Sequence, residues 1–279
     1  MNKPATPHLV IIDALNLIRR IDGALRGFSA QSTLDTAQLI SLTNQAVTRL
    51  ARGHCPSHIV AVFDGDGNNW RKKHYPAYKE NRKPMADDLA LQLEPIRQQW
   101  RQIGVSSLLT EHDEADDLIA TLSTKMLNAG GKVTVISTDQ GFYQLLPLGL
   151  KIWDHFSSQW VDEKIVYQKY GIKSEQLLDY WSIVGQSGNK IPGVSGLGPK
   201  AALKILSQYD NLTLAFAATP AATEKPLIKL QQNKDQARLS YKLVKLRTDL
   251  ELAINLKSIR YQPAGTDAQR PSEEAHEPQ

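Results

Sequence analysis

The chain has 279 residues, 41% hydrophobic and 22% charged, with 33 Lys/Arg against 29 Asp/Glu and a net charge of +4. This composition excludes a disordered chain, a collagen-like repeat and a disulfide-framework peptide. The single cysteine, Cys55, permits neither an internal disulfide nor a cysteine-based zinc cluster.

Taken in chain order, the first half alternates strand-like and helix-like segments. His8 to Asp13 is an apolar run ending in an acid, followed by a helical stretch from Ala14 to Arg20. Residues 31–52 show mixed helical spacing, and His58 to Asp64 is a second β-branched run ending in an acid. Leu89, Leu93, Ile96, Trp100 and Ile103 step by three and four, the spacing of one helical face. Val105 to Leu109 reads as a short strand. Leu118, Ile119, Leu122, Met126 and Leu127 form a helical stripe closed by Gly130 and Gly131, and Lys132 to Ser137 is a third strong strand. Short buried-type strands separated by helices predict an α/β fold with a mostly parallel central sheet flanked by helices. From about Lys173 no strand pattern remains, and helices are expected over 177–184, 199–208, 212–217 and 226–246. The boundaries read as an α/β domain over 1–172, a helical subdomain over 173–261 and a disordered tail over 262–279. That tail carries −3, so the rest of the chain carries +7. No apolar run reaches the roughly 20 residues of a membrane span, and the opening residues are too few and too polar for a signal peptide. A cytoplasmic protein with no membrane contact is expected.

In parallel sheets ligands bind beyond the carboxyl ends of the strands, where Asp13, Asp64 and Asp139 fall. Any one of them alone is equally well a helix cap. Glu111, Asp113, Glu114, Asp116 and Asp117 crowd the start of a helix. The helix dipole accounts for one or two acids there; five repel one another, and an all-oxygen cluster suits Mg²⁺ or Mn²⁺ rather than zinc. Arg71 to Lys83 holds six Lys/Arg against one acid, with Tyr75 and Tyr78 interleaved, a pattern suited to phosphate contact and base stacking. A second basic stretch, Lys225 to Arg247, reads mostly as amphipathic helix surface. Gly193 to Lys200 is no P-loop, because Pro199 separates Gly198 from Lys200 and Ala201 replaces the Ser/Thr. Helix, tight glycine turn, helix remains, a form that grips a phosphate backbone without reading sequence.

These residues resemble a family. Ile12 to Asn16, Val62 to Asp64, Tyr75 to Arg82, Glu114 to Asp117, Ser137 to Asp139 and Ile191 to Lys200 match motifs of the 5′-nuclease (flap endonuclease) superfamily, over about residues 8–255. The chain is most similar to its short bacterial exonuclease IX-like members. The resemblance implies a helical arch at about 71–90 and a DNA-binding helix–turn–helix over 180–208. It implies a first metal cluster of Asp13, Asp64, Glu114, Asp116, Asp117 and Asp139, with Lys79, Asp116 and Asp139 catalytic. It further implies K⁺ held by the carbonyls of Ile183, Val184, Pro192, Val194 and Leu197. DNA contacts would come from Tyr78, Lys79 and Arg82 and from Gly196, Leu197, Gly198, Pro199, Lys200 and Ala201. The chain departs from the family at Gly141, Gln186 and Asn189, where carboxylates of a second metal cluster usually stand, so a second Mg²⁺ is expected to bind weakly. The implied activity is Mg²⁺-dependent cleavage of 5′-flap DNA by a monomer. A catalytically weak or inactive binder of branched DNA is the alternative.

Overall fold

The computed structural model describes residues 6–28, 35–65, 69–80, 82–252 and 254–263. Residues 264–279, most of the expected tail, and Asn81 of the basic motif lie outside the described residues. The first units run β1 (His8–Asp13), α1 (Ala14–Phe28), α2 (Thr36–His54), β2 (His58–Phe63), α3 (Trp70–His74), α4 (Asp87–Ala90), α5 (Leu93–Gln102) and β3 (Ser106–Leu109). There follow α6 (Ala115–Asn128), β4 (Lys132–Ile136), a 3₁₀ stretch Gln140–Leu148, β5 (Lys151–Asp154) and β6 (Gln159–Val161). The remainder is helical: α7 (Glu163–Tyr170), α8 (Leu177–Val184), α9 (Pro199–Gln208), α10 (Leu212–Ala217), α11 (Lys225–Gln232) and α12 (Lys234–Val244).

The sheet order is β3-β2-β1-β4-β5-β6, parallel throughout except for the antiparallel β6. Alternation within the strands splits the core in two. Leu9, Ile11, Val60 and Val62 point into one cluster with α6 and the helical half. Val10, Ile12, Ile59, Ala61 and Phe63 point into the other with α1, α2 and α5. A sheet covered on both faces needs apolar side chains on both, which is why β1 and β2 read as continuous apolar runs. The chain reverses direction across the sheet between β1 and β4, and a crevice opens there at the carboxyl ends.

The stripe from Leu89 to Ile103 is one buried face but not one helix. Leu89 lies on α4, while Ile96 and Trp100 lie on α5, all three in the second core. Pro95 has no N–H to continue a helix across 91–92 and instead sits in the first turn of α5. Strands β5 and β6 carry no clear sequence signal, being four and three residues long with polar positions inside them. Among the described residues no helix is long and apolar enough to cross a membrane.

Candidate active site

Asp13, Asp64, Glu114, Asp116 and Asp139 line one cleft of about 760 Å³, with Lys79 at its wall. Each strand-end acid also holds a backbone amide. Asp13 Oδ1 accepts from Asn16 N (3.2 Å), Asp64 Oδ1 from Ala115 N (2.7 Å) and Asp139 Oδ1 from Gly141 N (2.6 Å). The cap reading and the site reading are therefore both true of these residues. Capping ties each of these carboxylates to the start of a helix, so the acidic wall of the cleft is anchored on secondary structure. Ser137 Oγ donates to Asp13 Oδ2 at 2.8 Å and accepts from Asp139 N at 3.0 Å, tying β4 to β1. Asn16 Oδ1 takes Thr138 N and Thr138 Oγ1 from the other side. Asn16 and Ser137 belong to the sequence motifs, yet only the fold reveals them as the supports of Asp13 and Asp139.

The cleft concentrates negative charge. Burial, with added repulsion from Asp139 and Asp64, pushes Asp13 up to about 7 despite its hydrogen bonds. Burial likewise raises Asp116 well above the carboxylate range, and Asp139, Asp13 and Glu114 add to it while Lys79 opposes. Among the described residues, no group of three or more His, Cys, Asp or Glu side chains is set closely enough to hold a metal ion by itself. The acids form an open ring around the cleft rather than a closed cage.

Two expected site residues are buried. Asp117 is fully buried and absent from the cleft wall. Its oxygens accept Arg71 Nη1 and Nη2 at 2.7 Å each, Trp70 Nε1 at 3.0 Å and Arg247 N at 2.9 Å. One position along a helix turns a side chain by about 100°, so Asp116 enters the cleft and Asp117 enters the core. Tyr78 lines the cleft but is only 3% exposed, and its hydroxyl donates to Glu114. It is a core aromatic, and half-buried Tyr75 packs against the same core.

Arg71, counted from sequence among the phosphate-contacting cations, is 1% exposed. Its guanidinium donates to Glu114, to Asp117 and to the carbonyls of Leu243 (2.9 Å) and Lys245 (3.0 Å). Burial acts against its charge, but Asp117 and Glu114 outweigh burial and hold its pKa above the usual arginine value. Glu114 also pairs with Lys79 Nζ. Burial would lift Glu114, yet Lys79 and Arg71 bring it below the usual range. Lys79 stays charged because Asp116 and Glu114 outweigh its burial.

Lys79 has φ +54, a left-handed backbone that side chains rarely adopt. Its N–H donates to Asn189 O at 2.9 Å, and Arg82 Nη2 donates to Asn189 Oδ1 at 3.2 Å. Asn189 Nδ2 in turn donates to Gln186 Oε1 at 3.0 Å. The basic segment is thus short helices and turns docked on the helical half. Gly141, Gln186 and Asn189 come together in a recess of about 580 Å³ whose one acidic lining residue is Asp139.

In the glycine turn, two backbone segments meet almost without a gap. A Cβ on Gly193 would stand 2.3 Å from Ile183 O and 2.4 Å from Val184 C; one on Gly185 would stand 2.4 Å from Gly193 N. Ile183 O accepts Val194 N at 2.7 Å, and Val194 O accepts Leu197 N at 2.9 Å. The carbonyl-bearing residues 183, 184, 192, 194 and 197 are therefore gathered at one turn. Gly196, Gly198, Pro199 and Lys200 are exposed at the start of α9, Ala201 is half-buried, and the Leu197 side chain anchors in the core. Lys229 of α11 lays its ammonium against Gly196, at 2.2 Å from where a Cβ would be. The turn thus gains a cation from a helix whose sequence reads as ordinary surface.

Comparison with known proteins accords with this architecture. Residues 8–171 match the family of 5′-3′ exonucleases, N-terminal resolvase-like domain, and residues 172–267 match the 5′-3′ exonuclease C-terminal SAM fold. Flap endonuclease Xni of Aeromonas salmonicida is 45% identical over 92% of this chain and 98% of its own length. The Vibrio parahaemolyticus protein of the same name is 44% identical over 91% and 96%. Among solved structures, phage T5 5′-exonuclease with divalent zinc bound superposes with TM-score 0.72 at 21% identity, covering 86% of this chain and 90% of that one, a likeness of fold. Two adjoining family matches, and relatives at 45% identity over nine-tenths of the length, establish that this chain belongs to the 5′-nuclease (flap endonuclease) family and is a nuclease.

Proposed function

We propose that the protein is a Mg²⁺-dependent flap endonuclease that hydrolyses phosphodiesters of branched DNA near the junction of single and double strands. The observation that carries this reading is the convergence of Asp13, Asp64, Asp116 and Asp139 on one cleft beside Lys79. Oxygen donors alone, set in an open ring, suit a small hard cation that keeps several waters and takes its remaining ligands from phosphate. Mn²⁺ has the same preference. The metal, when bound, would polarise the scissile phosphate and lower the pKa of an attacking water. Asp13, Asp64, Asp116 and Asp139 would hold it, with Glu114 bracing the Lys79 ammonium at the wall. Lys79 would stabilise charge developing on the phosphate oxygens. Asp117 and Arg71 would hold the start of α6 in place, a positioning role.

Duplex DNA would lie across the glycine turn, where the exposed start of α9, with Lys200 and Lys229, would meet phosphates. The turn carbonyls of Ile183, Val184, Pro192, Val194 and Leu197 would be the neutral oxygen donors for K⁺. Lys79 and Arg82, held by Asn189, would face the strand entering the cleft. The same reading makes the protein a cytoplasmic monomer, where exposed Cys55 stays reduced.

Incubation of the pure protein with a labelled 5′-flap duplex and Mg²⁺ tests the proposal. Cleavage that disappears in Asp116→Ala is expected; absence of cleavage, or cleavage indifferent to that substitution, overturns it. The recess at Gly141, Gln186 and Asn189 favours one second reading, a branched-DNA binder with little turnover. That reading predicts flap binding without product when substrate exceeds protein.

A further inference from the structure

A second concave surface lies outside the cleft. Between α1, α2 and the β5–β6 hairpin runs a groove of about 880 Å³. Because β5 runs parallel to β4, its end at Asp154 reaches the same carboxyl edge of the sheet as Asp139. The hairpin turn therefore opens beside the acidic cleft, one strand further out.

The hairpin wall of this groove is aromatic, while α1 and α2 contribute the aliphatic Ile21, Leu25, Leu42 and Leu50. Trp153 and Trp160 meet edge to face with centroids 5.0 Å apart, and His54 stands 5.4 Å from each. Phe156 and Trp160 are 40% and 46% exposed. Burial lowers the pKa of His54 and His155, so near neutral pH both present uncharged rings. The rim is cationic. The Arg20 guanidinium lies 4.9 Å over the Phe156 ring, the Lys151 ammonium lies 5.8 Å over the Trp160 ring, and exposed Arg49 lines the groove. The acid at the turn, Asp154, is occupied by the amides of Phe156 and Ser157.

We propose that this groove is a stacking platform for the unpaired bases of single-stranded DNA, continuous with the acidic cleft. Flat rings bordered by guanidinium and ammonium groups are what binds a single strand without regard to sequence: bases stack on rings while phosphates meet cations. The charge of the rim favours a polyanion over an apolar peptide. Continuity comes from Arg20, which touches Phe156 and also donates to Thr138 Oγ1 at 2.8 Å, the residue before Asp139. The α2 wall from Gln38 to His54 gives the groove a length of about 24 Å at 1.5 Å per residue, enough for several nucleotides. The inference rests on the nuclease reading for its substrate, but its test does not depend on cleavage.

Fluorescence anisotropy with the full chain in EDTA separates the two. Three labelled probes are compared: a blunt duplex, the same duplex with a single-stranded overhang, and an oligo-dT strand. The overhang should tighten binding relative to the blunt duplex. Phe156→Ala with Trp160→Ala should weaken the overhang and dT probes about tenfold and leave the blunt duplex unchanged. Should that double variant fail to fold, photo-crosslinking of wild-type protein to a 5-bromodeoxyuridine strand decides: attachment within residues 153–160 supports the platform, and attachment only elsewhere overturns it. An overhang that adds nothing, or a folded double variant with wild-type affinity for dT, also overturns it. Flap cleavage with no overhang effect removes the platform and leaves the nuclease reading standing; overhang binding without cleavage does the reverse.

Discussion

Replacing Arg71 should unfold this protein far more readily than replacing the lysines beside it. Arg71 sits in a basic run, Arg71-Lys72-Lys73, that reads as a DNA-contacting surface. In the fold its guanidinium is buried and feeds two carboxylates and two main-chain carbonyls. Arg71→Met keeps most of the volume and removes every one of those donors. Asp117 would retain Trp70 Nε1 and the Arg247 amide, and Glu114 would retain Lys79 and Tyr78, so neither acid is stripped completely. Removing one partner of a buried pair costs about 3–5 kcal/mol, and the retained hydrogen bonds argue for the lower end. At about 2–4 °C per kcal/mol for a chain this large, Tm should fall by roughly 10 °C. Lys72→Ala and Lys73→Ala, both exposed, should stay within about 0.5 kcal/mol of wild type. Thermal melts followed by circular dichroism at pH 8 would show the loss. An Arg71→Met protein melting within about 2 °C of wild type at pH 8 refutes this reasoning.

Other outcomes follow from the same structure. Burial pushes Asp179 on α8 up to about 6 against the help of the Leu212 amide. Its folded pKa exceeds the unfolded value, so it costs stability that is absent near pH 4 and complete above about pH 6. Asp179→Asn should therefore stabilise by about 1–3 kcal/mol at pH 7.5 and by almost nothing at pH 4; equal urea midpoints for both proteins at pH 7.5 would exclude the effect. Gly193→Ala puts a methyl 2.3 Å from Ile183 O, whereas Gly188→Ala meets nothing within 4 Å. The first should lose about 2 kcal/mol or more together with duplex affinity, and the second neither; equal melts would contradict the close approach. Gln186→Asp with Asn189→Asp replaces the 3.0 Å amide contact by two facing carboxylates and gives Arg82 a charged partner. Calorimetry should then show tighter divalent-metal binding than wild type, and unchanged binding would argue against a second metal position in this recess. Duplex binding should weaken as salt rises, and affinity flat from low to high salt would contradict phosphate contact at the glycine turn.

The sheet and the address of the site are legible in the strand pattern. β1 and β2 are apolar from Leu9 to Ile12 and from Ile59 to Phe63 because both sheet faces are covered, and that continuous pattern is visible in the sequence. Each run ends in an acid at the carboxyl edge, so the placing of Asp13, Asp64 and Asp139 was legible from strand ends alone. Helices α8, α9 and α10 were legible to the residue, because glycine, proline and asparagine punctuate them. What neighbouring residues of like charge do depends instead on contacts across the fold. Asp116 and Asp117 look alike in a list of acids, yet the rotation of about 100° between them separates cleft from core. Arg71 and Lys72 look alike in a basic run, yet one is enclosed by Glu114 and Asp117 and the other faces solvent. The aromatic groove was illegible for a similar reason: His54, Trp153, Phe156 and Trp160 come from segments a hundred residues apart, joined by strands too short to show a period. The net charge of +4 gave no hint of this sorting. Periodicity reports which face an element buries; which charge meets which partner depends on contacts across the fold, and those exist only once the chain has closed.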